Sequence, residues 1–175
     1  MSLGSGVFHL EPESEANMSN DFTALKLNLR RWTLMLGVLQ ITLGCIVGFI
    51  PPPAVQWFRG IVMSHIEYTA NGVLMIVFGF LVHELRLQST GLKIWFATLQ
   101  IGTWTNGTAG LVGAFIGYSS ILMPTINEKF PAPHGSDHPA VTGLLQLCGV
   151  TLMVALLLTL YGLLRSKASS PDKPR

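Results

Sequence analysis

The chain has 175 residues, enough for one domain, with 49% hydrophobic and only 11% charged residues, against about 25% charged in a typical soluble domain. That deficit places it among integral membrane proteins. The net charge of +2 argues against a nucleic-acid partner, because the cations sit beside apolar segments and form no basic stripe.

Residues 1–25 are expected to be a disordered cytoplasmic lead-in. Met1–Asn20 is rich in Ser, Gly, Glu and Asn and does not read as a signal peptide. Residues 26–165 then form a membrane domain, and residues 166–175 a disordered tail. The first apolar stretch runs from about Trp32 to Ile50 and stops at Pro51-Pro52-Pro53, since proline removes amide donors and clashes with the preceding turn. The second runs from about Ile61 to Val82, the third from about Ile94 to Tyr118, and the fourth from about Val141 to Leu164. Each is near the ~20 residues that cross ~30 Å of hydrocarbon. Helices are favoured because backbone groups in lipid must be paired within the segment. The expected fold is all-α, an integral membrane four-helix bundle.

Orientation follows from charge. Lys26, Arg30 and Arg31 precede the first span, Arg86 and Lys93 lie between the second and third, and Arg165, Lys167, Lys173 and Arg175 follow the fourth. Only Arg59 and Lys129 lie on the other side. Both termini are therefore expected to be cytoplasmic in a multi-pass protein. Cys45 and Cys148 fall inside apolar runs and read as small packing residues. No Cys-x-x-Cys-His occurs, which excludes a covalently attached c-type haem.

The second span carries His65, Glu67, Tyr68 and Asn71. An ionisable group inside a spanning helix costs roughly 2.5–3.5 kcal/mol on insertion scales, so such groups are functional by default. Taking His65 as zero at ~100° per residue, Tyr68 falls near about −60°, Asn71 near about −120°, Gly72 near about −20° and Met75 near about −80°. These five share one arc, and Glu67 lies just beyond Asn71. His65 reads either as a ligand or as a histidine bonded across helices. Tyr68 reads as a site residue or an interface anchor, and Asn71 as a site residue or interhelical glue.

The third span supplies Gln100, Thr103, Asn106 and Gly107 as a second polar surface, and the two faces are expected to pack around a pocket. Its glycines include Gly102, Gly110, Gly113 and Gly117, with Gly102, Asn106 and Gly110 spaced by four. Small residues at that spacing let helices approach closely, and they also leave room for a flat cofactor. The two readings are compatible. The loop from Ser119 to Pro139 carries His134, Asp137 and His138 but no zinc spacing, and reads as solvated chain over the membrane surface.

The stretch Ser64-His65-Ile66-Glu67-Tyr68-Thr69-Ala70-Asn71-Gly72 resembles the second helix of hydroxylaminobenzene mutases, with a His, five residues, then Asn-Gly. Gly102-Thr103-Trp104-Thr105-Asn106 is similar to their Gly-Thr-aromatic-x-Asn segment, as are Met123-Pro124 and His134-Gly135 in the loop. The likeness covers about Leu29 to Leu164. Styrene oxide isomerases look like more distant relatives with the same His-x5-Asn-Gly spacing. They are trimers that bind haem b between subunits.

The resemblance implies a membrane isomerase that rearranges an aryl hydroxylamine to an aminophenol. Haem b would be its cofactor, a small aromatic molecule its substrate, the lipid bilayer its surroundings, and a homo-oligomer, a trimer, its assembly. It implies His65 as axial ligand to the iron, Gly72 and Gly102 as cofactor-binding positions, and Asn71, Asn106 and Tyr68 as catalytic residues. The later-helix Tyr and Asp of styrene oxide isomerases have no clear match. The third span has no Asp, and its only Tyr is Tyr118 near its end. The rival readings are an epoxide-to-carbonyl isomerase on the same scaffold and a non-catalytic scaffold or permease subunit. A permease needs a polar path, and only one helix here is strongly polar.

Overall fold

The computed structural model describes residues 12–167, with side chains described for residues 20–165. It is an all-α membrane helical bundle, and the described residues contain no strand. Helix α1 spans Pro12–Gly48, α2 Phe58–Leu81, α3 Ser89–Ile116, α4 Pro124–Lys129 and α5 Pro139–Lys167, with a 3-10 turn at Pro52–Ala54. Helix α1 ends just before the proline triplet, as its missing amide donors require.

Two expectations are corrected here. Residues 12–25, read as disordered lead-in, are helical. Proline is tolerated in the first turn of a helix, and Phe22 and Leu25 extend the bundle's core at that end. The segment after Ser119, read as loop throughout, contains α4, which opens on Pro124. Residues 1–11 and 168–175 lie outside the described residues, and with them most of the expected tail.

By length and composition, Asn20–Gly48, Phe58–Leu81 and Pro139–Arg165 suffice to cross a membrane. Helix α3 is as long, at 28 residues, but its Thr, Asn, Gln and Gly content lowers its hydropathy. Its position explains why it tolerates them. Helix α3 packs on α2, on α5 and, more narrowly, on α1, and α1 packs on α2. The helix that carries Thr98, Gln100, Thr103, Thr105, Asn106 and Thr108 is thus the one with most neighbours, where side chains can find partners without water.

Close approach depends on glycine. A Cβ on Gly72 would stand 2.6 Å from the Gly37 carbonyl oxygen, so α1 and α2 cross almost backbone to backbone. A larger core cluster around Met75, Phe78, Leu85, Leu92, Trp95 and Leu99 fills the end bearing the basic residues. A smaller one, Val47, Ile61, Tyr68 and Ala114, fills the other. At that second end Gly117 closes α3 at φ 72°, a left-handed value that glycine adopts freely. Its carbonyl then accepts from His134 N–H. This small knot pins the long loop over the mouth of the α2–α3 pair.

Candidate functional site

His65 lies seven residues into α2 from Phe58, about 10 Å along the axis. Its Nδ1 is 2.8 Å from the carbonyl oxygen of Gly44 on α1. A carbonyl can only accept, so Nδ1 carries the proton and donates, and Nε2 keeps its lone pair. The contact is possible because α1 offers no side chain there. A Cβ on Gly48 would meet Nδ1 at 2.9 Å, and one on Gly44 would meet Thr69 Oγ1 at 2.7 Å. The half-buried ring lines a cleft of about 310 Å³ with Cys45, Gly48, Phe49, Phe58, Ile61 and Val62. Its walls are apolar apart from the imidazole and one thiol. Phe49, at the rim, is 85% exposed.

Ser64, Glu67, Tyr68 and Asn71 of α2 face α3. Ser64 Oγ donates to the Gly107 carbonyl at 2.8 Å, and Asn71 Nδ2 donates to the Thr103 carbonyl at 3.3 Å. The Tyr68 hydroxyl is 2.8 Å from Thr108 Oγ1, and its ring meets Trp104 edge-on at 6.1 Å. The Asn106 amide donates to the Glu67 carboxylate. Gly107 has the Tyr68 ring directly against it, at 2.6 Å from where a Cβ would be. The two faces expected to enclose a pocket are closed on one another as a polar seam.

The structure therefore divides the cluster that the helical arc had grouped. His65 and Gly72 face α1; Tyr68, Asn71 and Glu67 face α3. Gly72 sits at the α1 crossing. Gly102 sits at the α5 crossing, where a Cβ would stand 2.6 Å from Leu152 Cγ. Both glycines are filled by neighbouring helices within this chain, and neither lines the His65 cleft.

One residue of this region escaped the sequence reading. Gln40 on α1 is fully buried, and its Nε2 donates to Thr103 Oγ1 at 3.2 Å while its Oε1 lacks a partner among the described residues. A glutamine amid an apolar span is itself the signal that would have flagged it. Gln100 likewise has both amide atoms buried without a described partner. Thr103 joins α1, α2 and α3: it accepts from Gln40, its carbonyl accepts from Asn71, and its hydroxyl reaches Met75 Sδ at 3.3 Å. The His134, Asp137 and His138 loop brings no metal set together, and the described residues hold no cluster of three potential ligands. Tyr118 instead packs between the His134 and His138 rings, at 5.6 and 5.0 Å.

The class is thus set: a helical membrane protein with one imidazole locked on a backbone carbonyl beside an apolar cleft, and a separate polar seam inside the bundle. The chain belongs to the styrene oxide isomerase family, which it matches over residues 29–164. It is 27% identical over 135 residues to hydroxylaminobenzene mutase HabB of Ectopseudomonas oleovorans, covering 77% of this chain and 81% of that protein. No solved structure matches the chain. One similarity is to an isomerase and the other to a mutase by name, and with its own apolar helices this chain is a membrane isomerase.

Proposed function

We propose that the chain rearranges an aryl hydroxylamine to an aminophenol by intramolecular hydroxyl transfer, in a four-span bundle that binds haem b at His65. The observation that carries this reading is the His65 Nδ1–Gly44 carbonyl bond. A metal-bound imidazole characteristically donates its second N–H to a carbonyl or carboxylate, which fixes ring and tautomer. Here that bond exists within the chain and leaves Nε2 as the ligating nitrogen. The cleft walls, Phe49, Phe58, Ile61 and Val62, fit a flat apolar macrocycle at its edge. The exposed rim at Phe49 fits completion of the cleft by a second copy, hence a homo-oligomer.

When bound, ferric haem supplies a Lewis acid that weakens a bond to oxygen without proton transfer. The rest falls to the chain. The apolar walls hold the aromatic ring and keep water from an electron-poor nitrogen. In the isomerisation the N–O bond breaks, a ring C–O bond forms, and the ring hydrogen displaced by oxygen is balanced by one gained at nitrogen. Atoms are conserved and no reductant is needed. Asn71, Asn106 and Tyr68 are proposed to act from the seam as positioning residues: their bonds between α2 and α3 hold in place the helix that carries His65 and the cleft wall. Glu67, bonded to Asn106, fixes which way that amide faces.

Epoxide-to-carbonyl isomerisation is the second reading, favoured by the family match itself. Against it stands α3, which has neither Asp nor Tyr; Tyr118, two residues past its end, is engaged with His134 and His138. The deciding experiment is a visible spectrum of the purified protein, followed by turnover of hydroxylaminobenzene and styrene oxide. A haem band lost in His65→Ala, with hydroxylaminobenzene converted, supports the proposal. A colourless, fully active preparation removes haem from it, and conversion of styrene oxide alone transfers it to the second reading.

A further inference from the structure

A second cavity, which shares no lining residue with the His65 cleft, lies at the end of the bundle that carries the basic residues. It encloses about 860 Å³ where four segments converge: α1 at Asp21–Lys26, the turn at Arg86–Gln88, the start of α3, and Arg165 near the end of α5. Lys26, Arg86, Lys93 and Arg165 all line it, with Asp21 the carboxylate in the lining and Glu84 close enough to act on Lys26 from beside it, so cations outnumber carboxylates four to two.

Hydrogen bonds to backbone carbonyls tie the segments that carry these charges. Lys26 Nζ donates to the His83 carbonyl at 3.1 Å, tying α1 to the end of α2. The Arg86 N–H donates to the Gly162 carbonyl at 3.2 Å, tying the turn to α5. The groove also contains the start of the 28-residue α3, whose N-cap Gln88 makes no side-chain cap bond. Amides at such an end attract anions. Between the cations lie Phe22, Leu25 and Leu87. The lining is thus cationic and apolar at once, at the level where the apolar part of the bundle ends.

We propose that this groove is a binding site for the phosphate of an anionic phospholipid headgroup, with its acyl chains along Phe22, Leu25 and Leu87. A soluble anion would satisfy the cations but leave the apolar lining uncovered. A zwitterionic headgroup would cover the lining but present a cation to four others. An anionic phospholipid satisfies both, and basic pockets between membrane helices bind such headgroups. The site is independent of the His65 cleft and stands or falls separately from the proposed reaction.

The test is native mass spectrometry of the full chain in detergent, titrated in parallel with phosphatidylglycerol, phosphatidylcholine of the same acyl chains, and inorganic phosphate. Phosphatidylglycerol should bind saturably and displace phosphatidylcholine. The double variant Arg86→Ala/Arg165→Ala should weaken it by about tenfold or more, while Asp21→Asn should strengthen it. Because Asp21→Asn adds no apolar surface and removes no cation, it remains informative if the double variant folds poorly. Equal binding of the two lipids, or no response to either variant, overturns the proposal. Inorganic phosphate binding as tightly as phosphatidylglycerol overturns the lipid assignment and gives the groove to a free phosphate.

Discussion

The imidazole of His65 and the carbonyl of Gly44 are joined at 2.8 Å across the α1–α2 crossing. The bond depends on what α1 lacks: at Gly44 and Gly48 no side chain separates the backbone from the ring. Gly48→Ala places a methyl 2.9 Å from Nδ1, a distance at which the ring must turn. Gly48 is exposed at the last position of α1, so the fold should survive. The expected outcome is a lowered haem content and turnover with an unchanged melting temperature, read by absorbance and thermal unfolding in detergent. Parent-like haem loading would show that this bond does not set the ligand geometry.

Asn71→Ala should lower turnover by about 10–100-fold, the range expected when a reacting group is misplaced by about an ångström. Haem content should stay near normal, because Asn71 faces α3 while His65 faces α1. Turnover normalised to haem is the measurement. Loss of both together would mean that Asn71 is needed to assemble the bundle and not to set the geometry at the cleft.

Glu67→Ala leaves the Asn106 amide without its carboxylate acceptor. Both groups are half-buried, so the loss is that of a hydrogen bond, about 0.5–1.5 kcal/mol net, and the expected result is a lowered melting temperature. Asn106→Ala should cost a similar amount. Because the two act as one pair, the double variant should fall short of the sum of the singles by about 0.5–3 kcal/mol. Strict additivity would dissolve the pair.

Gly107→Ala drives a methyl to 2.6 Å from the Tyr68 ring, and overpacking of this kind costs about 1–3 kcal/mol. Gly143 is the control. A Cβ there meets nothing within 4 Å, so Gly143→Ala should be neutral or stabilise α5 by about 0.5–1 kcal/mol. Thermal unfolding of the two variants side by side checks both.

The basic ends of α1, α2, α3 and α5 are gathered by the Lys26–His83 and Arg86–Gly162 bonds. If that end is cytoplasmic, as the positive-inside rule requires, then in a background without Cys45 and Cys148 a cysteine at Ser2 should label from the cytoplasm and one at Ser136 from the opposite side. Labelling of both from one side would refute a four-span topology.

The pattern of the chain by itself determined that this is an all-α membrane protein, because apolar length and scarcity of charge are local properties that a bilayer reads directly. It also determined where α1 stops, since Pro51-Pro52-Pro53 ends a helix in any surroundings, and it singled out His65, whose cost in a spanning segment is legible without neighbours. That α1 reaches back through Phe22 and Leu25 was not legible, because those two side chains meet residues far along the chain. Nor was the division of the α2 cluster. Periodicity places His65 and Asn71 on one broad arc of a lone helix, but α1 and α3 approach α2 from different sides and take one residue each. Which face a polar side chain serves is decided by the helix that comes to rest against it. Here that was settled at Gly72 and Gly107, where a missing side chain let a neighbour in.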